Sequence, residues 1–134
     1  MARFREAIRQ ARQQLKVSQK WVGAQAGIGQ SMVAQVEGGT REPSIDIAAD
    51  MVFALIGRAF GGEVKALTLL GSTDGRPEYL VEWEKAGGRI GRRLTSSRPL
   101  IETLGLRGSL RVSRRVGLML LAEVLTLAME GAEE

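Results

Sequence analysis

The 134-residue sequence contains no cysteine and no histidine. The first absence excludes a disulfide framework and a thiolate metal site. The second removes the commonest metal ligand and the commonest general base. Carboxylate chemistry is not excluded by composition, but no paired acids stand out in a glycine-rich or concave context. The chain therefore reads as a non-enzyme, with no cofactor and no metal. No secretory leader is expected either: the opening MARFREAIRQARQQ reads as a basic amphipathic helix without an apolar core. The expectation is a cytoplasmic protein. The longest apolar stretch, 116–129, falls short of the ~20 residues that span a bilayer, so no membrane partner is expected.

What is present is ordinary in bulk and uneven in detail. Hydrophobic content of 44% suits a soluble globular protein. The length allows one small domain or two very small ones. A net charge of +4 hides strong segregation: +3 over residues 1–60, −2 over 61–88, +7 over 89–115 and −4 over 116–134.

The most specific signal is SQKWVGAQAGIGQSMVAQVEGGTR, residues 18–41. Ser18 is a good helix N-cap. Val22 and Ala26 fall four apart on one face. Gly27 can take the left-handed conformation that ends a helix, and Ile28 plugs the turn. Gly29 then opens a second helix whose buried face is Val33 and Val36. Gln30, Ser31, Ala34 and Gln35 are left facing outward. None is charged, two are amides, and Ala34 is small enough to admit a thymine methyl. Glutamine donates and accepts at once, which matches the major-groove edge of adenine. The spacing alone also fits a plain amphipathic helix pair with solvated glutamines.

The segment from Ile8 to Gly57 resembles the helix-turn-helix domain of the Cro/C1-type (XRE) family. The resemblance rests on LKVSQ at Leu15–Gln19, AGIGQS at Ala26–Ser31, VAQVEGG at Val33–Gly39 and REPS at Arg41–Ser44. The turn is similar to that of lambdoid phage repressors. The resemblance implies that Gln30, Ser31 and Gln35 face base edges. It implies that Gln19 touches a phosphate and braces Gln30, that the Gly29 amide approaches a phosphate, and that Thr40 and Arg41 meet the backbone or a flanking base. Glu37 resembles the family's structural glutamate, which pairs with an arginine of the first helix; Arg9 and Arg12 are the candidates. Two positions depart from the pattern. Trp21 is bulky where a polar residue is usual, and serves as a surface anchor or packs on the later half. Gly38 replaces a polar residue and removes one phosphate contact.

Around this unit, a first helix is predicted from about Ala2 to Leu15, with Phe4, Ile8 and Leu15 near one face. Ser44 caps a fourth helix through Phe60, with Ile45, Ala48, Val52 and Leu55 as its core stripe and Asp46 at its positive end. Gly61 and Gly62 close a domain at 1–60 and leave a C-terminal domain at 61–134. There, residues 63–70 and 78–85 flank GSTDGRP and favour a β-hairpin. A helix starting near Asp74, with Pro77 in its first turn, competes. AGG at 86–88 is a further break. Ser97 and Pro99 introduce a short helix through Leu104, and a final helix runs from near Ser109 to Met129. That helix is apolar nearly all round from Val116, so it must be buried in its own domain or against a second copy.

The basic block 89–115 has three readings: a solvated arginine face, a phosphate-tracking extension, or a second DNA surface. In the last, Leu104-Gly105-Leu106 forms a corner and Arg107, Arg111, Arg114 and Arg115 follow it into a groove. The fold class expected is mainly α: a five-helix-type, lambda-repressor-like helix-turn-helix domain, then a small α+β C-terminal domain of a hairpin plus helices. The function expected is a sequence-specific DNA-binding repressor acting by operator occupancy in a bacterial host, with temperate-phage immunity as its setting. No lysine lies beyond Lys85, so the self-cleaving serine–lysine domain of some relatives is not expected. The rivals are the DNA-binding antitoxin of a toxin–antitoxin pair and a protein-binding adaptor with this fold. The partners expected are a double-stranded DNA operator and a second copy through the C-terminal helix; no small-molecule ligand is evident.

Overall fold

Serines at two helix starts and glycines at three helix ends shape the N-terminal half. The computed structural model describes residues 4–70, 76–96 and 114–132. Four helices come first: α1 Phe4–Leu15, α2 Gln19–Ala26, α3 Gln30–Gly38 and α4 Ile45–Phe60. The Ser18 hydroxyl accepts from the Trp21 amide at 3.0 Å, and the Ser44 hydroxyl from the Ile47 amide at 3.2 Å. Gly27, Gly39 and Gly61 each end a helix in the left-handed region, where a Cβ is strained.

The helices bury the stripes their spacing predicts. Phe4, Ala7, Ile8 and Ala11 line the inner face of α1; Val22 serves α2, and Val33 and Val36 serve α3. In α4 the stripe is Ala48, Met51, Val52, Leu55 and Ile56. Ile45 is a correction: it is 37% exposed, because the first turn of α4 stands clear of the core.

Three antiparallel strands follow, in the order β1 Glu63–Leu70, β2 Glu78–Lys85, β3 Gly88–Thr95. The β1–β2 pairing is the expected hairpin, and it overturns the competing helix near Asp74; residues 71–75 lie outside the described ones. β3 was not anticipated. Lys85 pairs with Gly88 across a two-residue turn in which Ala86 and Gly87 have φ of 52° and 79°. Positive φ at both central residues is the signature of the tight hairpin turn that suits strand twist. Alternation then sorts β2: Tyr79, Val81 and Trp83 are buried. On the opposite face, Glu78 and Glu82 pair diagonally with Arg93 and Arg89 of β3, at 3.7 and 3.4 Å.

The last element, α5 Arg114–Ala132, returns to the beginning of the chain. It packs on α1 and α4, and Leu118, Leu121, Val124, Leu125 and Ala128 join the core those helices form. The Gln14 amide donates to the Met129 carbonyl at 3.0 Å, locking α1 to α5. The expected start of this helix near Ser109 and the short helix at 97–104 lie outside the described residues. Phe60 at the end of α4 meets Trp83 with ring centroids 4.7 Å apart, and the Arg92 guanidinium lies 5.5 Å over the Phe60 ring. Among the described residues, no helix is long and apolar enough to cross a membrane.

Candidate nucleic-acid interface

The geometry of α3 is set from behind. Arg12 of α1 donates Nε to Glu37 Oε2 and Nη2 to Glu37 Oε1, both at 3.0 Å, and Glu37 is buried. Of the two candidate arginines, Arg12 makes the pair. A two-pronged arginine–carboxylate bridge fixes direction as well as distance. It fastens the buried side of α3 to α1.

Gly23 sets the second constraint. A Cβ there would lie 2.8 Å from the Ile28 carbonyl oxygen and 3.3 Å from the Gln30 amide. The turn therefore runs against the bare backbone of α2, which brings the start of α3 close. The sequence reading missed this residue. Its signal was present, since a glycine inside a helical pattern marks a close backbone approach or a packing need.

With its inner side pinned, α3 turns Gln30, Ser31, Ala34 and Gln35 outward, and all four are exposed. Neither the sheet nor α5 covers this row. Gly29 precedes α3 in extended conformation and offers no side-chain cap. Its carbonyl accepts from the Met32 and Val33 amides at 3.2 and 3.3 Å, which leaves the Gln30 and Ser31 amides as the donors for an anion. Gln19 is half-buried at the first position of α2. Among the described residues, no hydrogen bond links its side chain to Gln30.

The loop after α3 is tied to the same helix. The Gln35 carbonyl accepts from the Thr40 amide at 3.0 Å, the Arg41 amide at 3.3 Å and the Thr40 hydroxyl at 3.3 Å. Thr40 and Arg41 are thereby held at the end of the row, both exposed. Arg5 of α1 reaches over Gly39, so that a Cβ on that glycine would collide with its guanidinium. No signal in the sequence pointed to Arg5.

Arg114 and Arg115, on the first turn of α5, come to this loop. Arg115 lines one cleft together with Arg41 and Arg5, and Arg114 Nε lies 3.9 Å from Glu42 Oε1. Both arginines are exposed. Arg107 and Arg111 lie outside the described residues. Trp21 is half-buried and lines a groove with Phe53, Gly57 and residues 61–64, so it faces the entry into the sheet. Gly38 has open space around it.

Comparison with known proteins adds one finding. A helix-turn-helix family model matches residues 8–52, from the middle of α1 to the middle of α4. The matched segment is a helix-turn-helix domain of the Cro/C1 type, and a DNA-binding transcription regulator is the class of protein it defines. No curated protein and no solved structure matches the chain.

Proposed function

We propose that the protein is a sequence-specific transcriptional repressor that acts by occupying an operator and excluding polymerase, in the setting of temperate-phage immunity. The observation that carries this reading is the exposed, uncharged row Gln30, Ser31, Gln35 on a helix pinned from behind by Arg12–Glu37. Uncharged amides on a rigid helix suit base edges better than phosphates, since they donate and accept in one plane. Charge sits at the margins of the row, where backbone contacts position the helix. Gly29, Gln19, Thr40 and Arg41 supply these contacts.

Arg114 and Arg115 extend the backbone surface rather than forming a separate reading unit. Their neighbours in the loop after α3 support this assignment. The ion pair between Arg114 and Glu42 is exposed on both sides and therefore contributes little; a phosphate displaces it at small cost. Most of the apolar surface of α5 is spent on α1 and α4. A second copy would find only its half-buried positions, such as Leu120 and Leu127, to dock on.

Selection of bound sequences from a random DNA pool tests the reading. A consensus site is the expected result, with adenine contacted by at least one glutamine. Inverted half-sites about one helical turn apart would show a dimer, and a single asymmetric site a monomer. Enrichment of no sequence would refute base reading.

A further inference from the structure

Beside the loop at 39–43 lies a cleft of about 370 Å³, a volume typical of small-molecule sites, which run from roughly 300 to 1,000 Å³. Its apolar lining comes from four parts of the chain: Phe4 of α1, Val36 of α3, Pro43 of the loop, and Leu118 and Met119 of α5. Arg5, Arg41 and Arg115 stand around it, against one carboxylate, Glu42. That carboxylate already faces Arg114 at 3.9 Å. Among the described residues, none of the three arginines has an ion-pair partner. The cleft thus combines an apolar interior with an unneutralised cationic mouth. Core packing alone requires neither the space nor three guanidinium groups converging on it.

We propose that this cleft binds a small carboxylate with an apolar body, and that its occupancy weakens DNA binding. Carboxylate oxygens match the fork of a guanidinium. The alkyl or aryl body replaces water over Val36, Pro43, Leu118 and Met119, with the gain usual for buried apolar area. A bare inorganic anion would satisfy the rim and leave the interior wet. A neutral amphiphile would satisfy the interior and leave the rim unpaired.

The regulatory half rests on the proposed repressor function; the ligand half does not. Arg41 and Arg115 are assigned to DNA phosphates above. A carboxylate that engages them removes positive charge from the duplex, and phosphate contacts carry much of the affinity. The same loop is bonded to the Gln35 carbonyl, so a bound ligand also acts at the end of the base-reading helix. Linkage makes the effect reciprocal: operator lowers carboxylate affinity by the factor that carboxylate lowers operator affinity.

The experiment uses the full chain with methyl-labelled methionine, followed by NMR at constant ionic strength. Met119 lines the cleft, and Met51, sealed in α4, serves as the internal control. Octanoate, octan-1-ol and octylamine are titrated in parallel. Octanoate is expected to shift Met119 saturably in the millimolar range while Met51 stays still, with octan-1-ol about tenfold weaker and octylamine without effect. Arg115→Gln is expected to weaken octanoate about tenfold and leave octan-1-ol unchanged. Met119→Trp fills the cleft; followed through the line widths of octanoate's own resonances, it is expected to abolish octanoate binding and keep binding to the selected operator. No saturable shift, or equal binding of acid and alcohol, overturns the ligand assignment. A clear Met119 shift with unchanged operator affinity overturns the regulatory half alone. Failure to select any operator removes the repressor reading and the regulatory half with it, and the NMR titration still decides the ligand.

Discussion

The Arg12 guanidinium and the Glu37 carboxylate meet through two hydrogen bonds of 3.0 Å each. Twenty-five residues apart in sequence, they join the first helix to the third. Arg12 also donates to the Val17 carbonyl at 3.3 Å, so one side chain organises the α1–α2 corner and α3 together. Removing it leaves a buried carboxylate without a partner. Arg12→Ala is expected to lose about 3 kcal/mol of stability in urea unfolding. The double variant Arg12→Met, Glu37→Leu should recover most of that loss, because no charge is stranded. A double variant as unstable as the single one would show that packing, not the pair, holds α3.

Base reading and backbone tracking separate in their salt dependence. Gln30→Ala should cost roughly 1–3 kcal/mol at one base position and relax preference there, with the salt slope unchanged. Arg41→Gln or Arg114→Gln should weaken all sequences alike and make the slope of log affinity against log salt shallower by about one unit. Competition binding at several salt concentrations checks both. Unchanged operator affinity in Gln30→Ala would remove the residue from the base-reading set.

Gly23 carries a geometric prediction. The Cβ of Gly23→Ala meets the Ile28 carbonyl oxygen at 2.8 Å, and backbone cannot swing aside as a side chain does. Overpacking of this kind costs about 1–3 kcal/mol. The strain falls at the α2–α3 turn, so operator affinity should drop even where the variant is fully folded. An alanine variant with native melting and native affinity would show that the turn has slack.

The β2–β3 turn can be improved. Ala86 sits at φ 52°, a conformation that asparagine tolerates better than alanine. Ala86→Asn gives the Asn-Gly pair favoured in this turn and should raise stability by about 1 kcal/mol. A thermal scan is sufficient; a lowered Tm would count against the turn geometry.

Tyr79 predicts a pH dependence. Burial first, then the charge and hydrogen bond of Glu123 at 3.1 Å, push its phenol well above the ordinary value of 10.0. The folded state keeps the proton where the unfolded chain releases it. The contribution of this group to stability is therefore complete below the unfolded value and is lost as pH rises above it. Tyr79→Phe should cost about 1 kcal/mol near neutrality, where Glu123 loses its donor. That deficit should shrink steadily as pH climbs beyond about 10. A deficit constant with pH would mean that the phenol ionises freely in the folded protein.

The N-terminal helices were legible because their signals are local. Ser18, Gly27, Ser44 and Gly61 are caps, and caps act within a turn of themselves. The outward row of α3 followed from the same periodicity that buried Val33 and Val36. Glu37 was legible through resemblance, but its partner was decided by the rotation of α1, which spacing does not give. β3 was hidden because its core-facing side carries Arg92, and Ile90 on that side remains 42% exposed. Arg92 lies over Phe60, so an arginine stands where alternation calls for an apolar residue. Gly62 was read as punctuation. Its second role, passing against the Glu84 carbonyl and the Trp83 ring, depends on a strand twenty residues further on. The convergence of Arg5, Arg41 and Arg115 joins three distant segments and leaves no trace in any local window.

The bond from Gln14 to Met129 spans 115 residues and has a consequence for synthesis. α1 and α4 emerge early from the ribosome, yet the surface they share with α5 stays wet until residues 114–132 have followed. Contacts so distant along the chain slow folding. The core of α1 and α4 is thus complete only once residues 114–132 are in place. A chain cut ahead of residue 114 is left with an unsealed apolar seam along α1 and α4.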